Sequence, residues 1–219
     1  FFARGVAVGY LLGAGLAAGV VLGLNADGAA PAEWLLVMAT STAVGSVIWR
    51  VRAQLWRVAM TDTLTGLANR QGLDYLLERE IGRIRRRGGR LSVAMVDLDG
   101  FKALNDRLGH AAGDAALAEI ARQWREVLRD RDLLARYGGD EFVILLPDTE
   151  GDAAIQLVAR LRHSETQPFS AGVATLTASD TATTLMHRAD SAMYAAKRSP
   201  RHPPPTLAHP LEDPDKVRR

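Results

Sequence analysis

The chain has 219 residues, enough for one or two domains with a sizeable core, a formal net charge of +2 and a calculated pI of 9.2. So mild a basic balance gives no footing for a nucleic-acid partner. The absence of cysteine excludes disulfides and thiolate-held metals and fits a catalytic part in a reducing compartment, and the five scattered histidines form no pair at helical spacing that would suit zinc.

Charge is unevenly placed: the first 49 residues hold one Arg, one Asp and one Glu. Val6–Leu24 is a run of 19 residues without a charge, long enough to cross a hydrocarbon core of about 30 Å. A polar turn, Asn25 to Pro31, separates it from a second apolar run, Ala32–Trp49, with Trp34 and Trp49 at its edges. Arg4 precedes the first run, and Arg50, Arg52 and Arg57 follow the second. The positive-inside bias then puts both ends of a membrane hairpin in the cytoplasm. Two buried core helices are the competing reading. A cleaved signal peptide fits less well, because the second run follows the first. Val51–Met60, with Leu55, Trp56 and Val58 among Arg and Gln, continues the second run as a short amphipathic helix.

Composition changes sharply at Thr61. Asp62-Thr63-Leu64-Thr65-Gly66 and Asn69 are capping and turn residues. Leu73, Leu76, Leu77, Ile81 and Ile84 then predict a helix over Gln71–Ile84, and Arg83–Arg90 reads as a basic loop. Leu91–Leu98 is a nearly continuous apolar run, a buried strand ending in Asp97 and Asp99. Helical spacing follows over Gly113–Leu128. Apolar runs then flank Arg136-Tyr137-Gly138-Gly139-Asp140-Glu141-Phe142, which reads as a hairpin with two acids at its tip. Helices over Asp152–Leu161 and Thr184–Lys197 bracket a strand at Phe169–Leu176, and the Pro-rich, charged end reads as disordered. Strands alternating with helices predict a layered α/β domain, one sheet covered by helices.

If the Asp97 strand neighbours the hairpin, Asp97, Asp140 and Glu141 stand side by side. An all-oxygen donor set without Cys or a His pair suits Mg²⁺ or Mn²⁺ and leaves room for substrate phosphates. Lys102 lies near the same strand end and would offset growing phosphate charge. Asp114 and Asn105 have the donors and acceptors for the edge of guanine, although each also reads as an ordinary cap of a turn or helix start.

These segments together, Asp62-x-Leu64-Thr65-Gly66-Leu67-x-Asn69-Arg70, Asp97-x-Asp99-x-Phe101-Lys102-x-x-Asn105-Asp106, Gly109-His110-x-x-Gly113-Asp114 and Arg136 to Phe142, resemble the motif series of the GGDEF family of diguanylate cyclases over residues 61–201. The resemblance implies an α+β, nucleotidyl-cyclase or palm-like sheet wrapped by helices. It implies condensation of two GTP into cyclic di-GMP with release of two pyrophosphates by a homodimer. It further implies metal binding by Asp97, Asp140, Glu141 and the Leu98 carbonyl, with Asp140 as proton acceptor and Lys102 as transition-state stabiliser. Asn105, His110 and Asp114 correspond to GTP contacts, Lys197 and Arg201 to phosphate-holding residues, and Arg129-x-x-Asp132 to an inhibitory product site. Two features depart from the family pattern: the connection from Leu161 to Phe169 is short, and Pro200 replaces the usual Gly before Arg201.

The expected organisation is a transmembrane hairpin over 1–50, a linker helix over 51–61, the cyclase domain over 62–201 and a disordered tail over 202–219. The expected location is the bacterial cytoplasmic membrane, multi-pass, with the catalytic domain inside. The intact acids favour an active enzyme over a silent nucleotide-binding module, and the small size disfavours a nucleic-acid polymerase palm.

Overall fold

The computed structural model describes residues 31–163, 167–198 and 206–208. The chain divides into two compact units, Phe1–Arg57 and Val58–Arg219. Helix α1 (Pro31–Met60) is continuous through Arg50 and Arg52, so the second apolar run and the amphipathic segment are one element. Three of its hydroxyls are satisfied along the helix: Thr40, Thr42 and Ser46 donate to the carbonyls of Leu36, Met38 and Ala43 at 2.8, 2.7 and 2.7 Å. The expected second membrane span is not borne out as such. Among the described residues no helix is long and apolar enough to cross a membrane. The first run, the Asn25–Ala30 turn and Arg4 lie outside the described residues.

In the second unit, β1 (Leu91–Leu98) is the middle of a five-stranded sheet of order β2-β3-β1-β4-β5. All eight of its residues are buried, as a continuous apolar run demands. Strands β2 (Leu133–Gly138), β3 (Glu141–Pro147) and β4 (Phe169–Thr175) pair antiparallel through it, and β5 (Thr206–Leu207) adds parallel to β4. Helices α4 (His110–Val127) and α5 (Gly151–His163) cover one face, where Trp124 meets Phe142 and Phe169 edge-on at 5.3 and 5.2 Å. Helices α2 (Arg70–Arg87) and α6 (Ala182–Lys197) cover the other with Leu73, Leu77, Leu185 and Met193. The expected α+β sheet wrapped by helices is therefore present. A Cβ on Gly172 of β4 would stand 2.1 Å from the Met193 nitrogen, so this glycine sets how closely α6 lies on the sheet.

Three elements differ from expectation. Helix α3 (Phe101–Leu108) occupies a stretch rich in turn residues, bounded by Gly100 at φ 69° and Gly109 at φ 84°. Helix α4 begins at His110 rather than Gly113. Strand β5 lies inside the segment expected to be disordered: the Ala208 amide donates to the Val173 carbonyl at 2.7 Å and Arg188 donates to the Ala208 carbonyl at 3.2 Å. Two residues after a proline run carry no readable period, so this edge strand is invisible to pattern.

Candidate active site

The β2–β3 hairpin turns at Gly139-Asp140, with Gly139 at φ 43° and Gly138 paired to Glu141. Its tip is held from inside. Arg136 donates to the Gly139 carbonyl from Nε at 3.0 Å and Nη2 at 2.8 Å, and from Nη1 to both Asp62 oxygens at 3.3 Å. Asp62 also accepts from the Thr65 amide at 2.9 Å and hydroxyl at 2.7 Å. Burial pushes the Asp62 carboxyl up, but Thr65 and Arg136 outweigh it and hold the group below its ordinary value. The turn after α1 is thus a brace for the hairpin. Asn69 continues it: its Oδ1 caps α2 at the Gly72 amide and its Nδ2 donates to the Ala59 carbonyl, each at 2.9 Å.

Strand register assembles the acids. Asp97 stands opposite Glu141, and the Leu98 amide donates to the Asp140 carbonyl at 3.2 Å. Asp97 is buried, and Asp140 and Glu141 are half-buried. Burial lifts the Asp97 carboxyl above its ordinary value; Lys197 opposes the shift, and Asp140 and Asp99 add to it. Burial likewise lifts Glu141, with Asp97, Asp140 and Asp190 adding repulsion and Lys197 opposing. Lys197, in the last turn of α6, places Nζ 2.7 Å from Asp97 Oδ1, and that hydrogen bond holds its ammonium above the ordinary value. Asp99 anchors the strand end: it accepts from Ser170 Oγ at 2.8 Å, and Gln167 donates to its carbonyl at 2.7 Å.

The reversal at Gly100 starts α3, whose first turn carries Lys102, exposed to solvent. Asn105, further along α3, faces α4 so closely that a Cβ on Gly113 would lie 1.9 Å from its Oδ1. That oxygen is buried without a hydrogen-bond partner. A buried acceptor left unpaired costs about 1–3 kcal/mol, which a ligand donor would recover. His110 and Asp114 are exposed in the first turn of α4. Asp190 is a contributor that sequence reading missed. It lies seven residues before Lys197, two turns along the same helix face, and that spacing was the available signal. Arg201 and Pro200 lie outside the described residues.

Among the described residues no three His, Asp or Glu side chains form a preassembled metal cage. The donors at the strand end are oxygens only, and like charges crowd there. Such a set fits Mg²⁺ or Mn²⁺ completing its shell with water and substrate oxygens.

Arg129 and Asp132 are elsewhere. Leu91 pairs with Pro147 and Leu133 with Leu145, so the loop before β2 is at the end of the sheet opposite the acids. The Arg129 amide donates to Asp132 Oδ2 at 3.0 Å, while Asp132 Oδ1 is buried without a partner. A cavity of about 720 Å³ there is lined by Arg90, Arg129, Asp148, Glu150 and Arg160. A second, of about 370 Å³, is lined by Gly66, Arg125, Arg129 and Asp132.

Comparison with known proteins agrees with this layout. Diguanylate cyclase DgcP of Pseudomonas aeruginosa is 44% identical over 155 residues, covering 65% of this chain and 23% of the relative. The response regulator PleD of Caulobacter vibrioides is 38% identical over 160 residues, covering 66% of this chain and 35% of the relative. The chain thus matches well under half the length of either relative. The crystal structure of the coiled coil and GGDEF domain of DgcB from Caulobacter crescentus, in complex with c-di-GMP, superposes with a TM-score of 0.70 at 28% identity, covering 78% of this chain and 96% of that one. The GGDEF domain of TpbB from Pseudomonas aeruginosa does so with 0.63 at 37% identity, covering 67% and 99%. The family profile described as "Diguanylate cyclase, GGDEF domain" matches residues 59–203, and with the hairpin acids set against Asp97 the chain belongs to that family.

Proposed function

We propose that the protein is a diguanylate cyclase that condenses two GTP into cyclic di-GMP and releases two pyrophosphates. The observation that carries this reading is the Asp97–Glu141 register with Asp140 at the adjoining tip. In the forward step the 3′-hydroxyl of one GTP attacks the α-phosphorus of the other. The new P–O bond forms as the bond to the β-phosphate oxygen breaks, and pyrophosphate leaves with that electron pair. Asp140 accepts the hydroxyl proton. Lys102 faces the charge that grows on the transferring group. Asn105 and Asp114 recognise the guanine edge, His110 flanks it, and Lys197 and Arg201 hold phosphates.

Asp97, Asp140, Glu141 and the Leu98 carbonyl would hold Mg²⁺ or Mn²⁺, which when bound polarises the phosphate and eases loss of the hydroxyl proton. One domain holds one GTP, so two bonds require two copies face to face, a homodimer in which each supplies half the reaction centre. Cyclic di-GMP bound at Arg129 and Asp132 acts as inhibitor.

Attachment to the bacterial cytoplasmic membrane, with the catalytic unit on the cytoplasmic side, belongs to the same proposal. It is supported by the uncharged run Val6–Leu24 and by Arg50, Arg52 and Arg57. Recovery of the full chain free of lipid in a liposome flotation would overturn that part. For the reaction, Asp140→Ala is expected to abolish cyclic di-GMP formation from GTP and Mg²⁺ while the fold holds. Unchanged product by chromatography would sink the mechanism.

A further inference from the structure

The reading above assigns Lys197 to substrate phosphates, yet its ammonium is bonded to Asp97 Oδ1 at 2.7 Å. The partners are unequally placed. Asp97 is buried with its side chain 11% exposed, while that of Lys197 is 46% exposed and reaches in from the end of α6. Among the described residues this is the one hydrogen bond that Asp97's carboxylate makes. The ammonium therefore occupies the oxygen a divalent cation needs, on the strand end where Glu141 faces Asp97 across the ladder. Two cations on one carboxylate oxygen repel at short range. The lysine is a compact charge on a four-carbon stem, free to swing, which a forked guanidinium locked to the carboxylate would not be. Asp99 and Asp140 add to the field that holds it in place.

We propose that Lys197 is an exchangeable cation. It neutralises Asp97 in the nucleotide-free domain and moves to the phosphates when metal and nucleotide arrive together. Free metal then binds poorly, because it must displace an ammonium that exchanges its carboxylate partner for water alone. When the nucleotide comes with the metal, its phosphates receive the lysine and Asp97 is released to the metal. This sets an order of events: the metal enters as its nucleotide complex and does not wait in the site. The inference rests on the functional reading of the acid end.

The test is Mn²⁺ binding to the full chain without nucleotide, read as free Mn²⁺ by electron paramagnetic resonance, for the parent, Lys197→Met, Lys197→Gln and Asp97→Asn. Both lysine variants are expected to bind Mn²⁺ at least about tenfold more tightly than the parent, and Asp97→Asn to lose the site. With a non-hydrolysable GTP analogue present, parent affinity is expected to rise and the gap to narrow. If Asp97→Asn loses Mn²⁺ while both lysine variants bind it no better than the parent, the exchange is overturned and the metal assignment stands. If Asp97→Asn binds Mn²⁺ like the parent with the GTP analogue present, both are overturned.

Discussion

At the Asp97 end of β1, carboxylates from two strands and a hairpin tip crowd together, opposed by Lys197. At the Leu91 end, arginines gather round single acids: Arg83 and Arg131 reach Asp148 at 3.4 and 3.6 Å, and Arg90 reaches Glu150 at 3.3 Å. The ends differ in how they are held as well as in sign. Asp97 and Glu141 sit on ladder positions of buried strands, so register dictates their spacing, and the tight turn fixes Asp140 beside Glu141. The arginines sit on loops and helix ends, largely exposed, where each ion pair contributes only about 0–1 kcal/mol. One end is preorganised for chemistry and tolerates little change. The other is an adaptable basic surface suited to an anionic ligand. Eight strand residues at about 3.3 Å each separate them by roughly 20–25 Å, so a ligand at the arginine end acts without touching the reacting atoms.

The comparison breaks most sharply at Gly113. Gly113→Ala sets a Cβ where Asn105 Oδ1 stands, 1.9 Å away. The KM for GTP is expected to rise on the order of 10- to 100-fold, the scale of a lost buried hydrogen bond, with kcat changed far less. An unchanged KM would detach Asn105 from substrate recognition. At the opposite end, Arg129→Ala is expected to raise the cyclic di-GMP concentration for half-inhibition about tenfold, as for loss of a charge-assisted hydrogen bond. Equal inhibition of parent and variant would leave the arginine end without its assigned ligand.

The smallest effect concerns the brace that secures the acid end. Asp62→Asn weakens the tie to Arg136 and Thr65 and is expected to cost about 1–2 kcal/mol at neutral pH in chemical denaturation. The Asp62 carboxyl is held below its ordinary value in the fold. Its contribution is therefore fully present above that value and is lost as pH falls through the lowered one. The gap between parent and variant should close on acidification. A gap that persists in acid would mean that packing, not charge, secures the tip. Asp97 and Glu141 behave oppositely. Their raised values mean that any stability tied to their protonated forms is present below the ordinary carboxylate range and is lost as pH rises through the raised values.

Much of this was legible locally. The apolar run Leu91–Leu98 had to be a buried strand, its last acids had to reach the sheet end, and Gly138-Gly139 between apolar runs had to turn. Helical spacing found the inward faces of α2, α4 and α6, because a period of 3.6 residues is written in neighbours. The sequence alone could also name the chemistry of Asp97, Lys102, Asn105 and Asp140, since donor types do not depend on the fold. Only tertiary structure decided which acid faces which. A shift of one residue in the β1–β3 ladder would turn Glu141 away from Asp97. The Asp62–Arg136 brace joins residues 74 apart and the Lys197–Asp97 pair residues 100 apart, and no local period encodes either. The short strand β5 and the gathering of arginines opposite the acids belong to the same class. They exist because strand order brings distant segments to one edge or one end, and that order follows from burying both faces of the sheet at once.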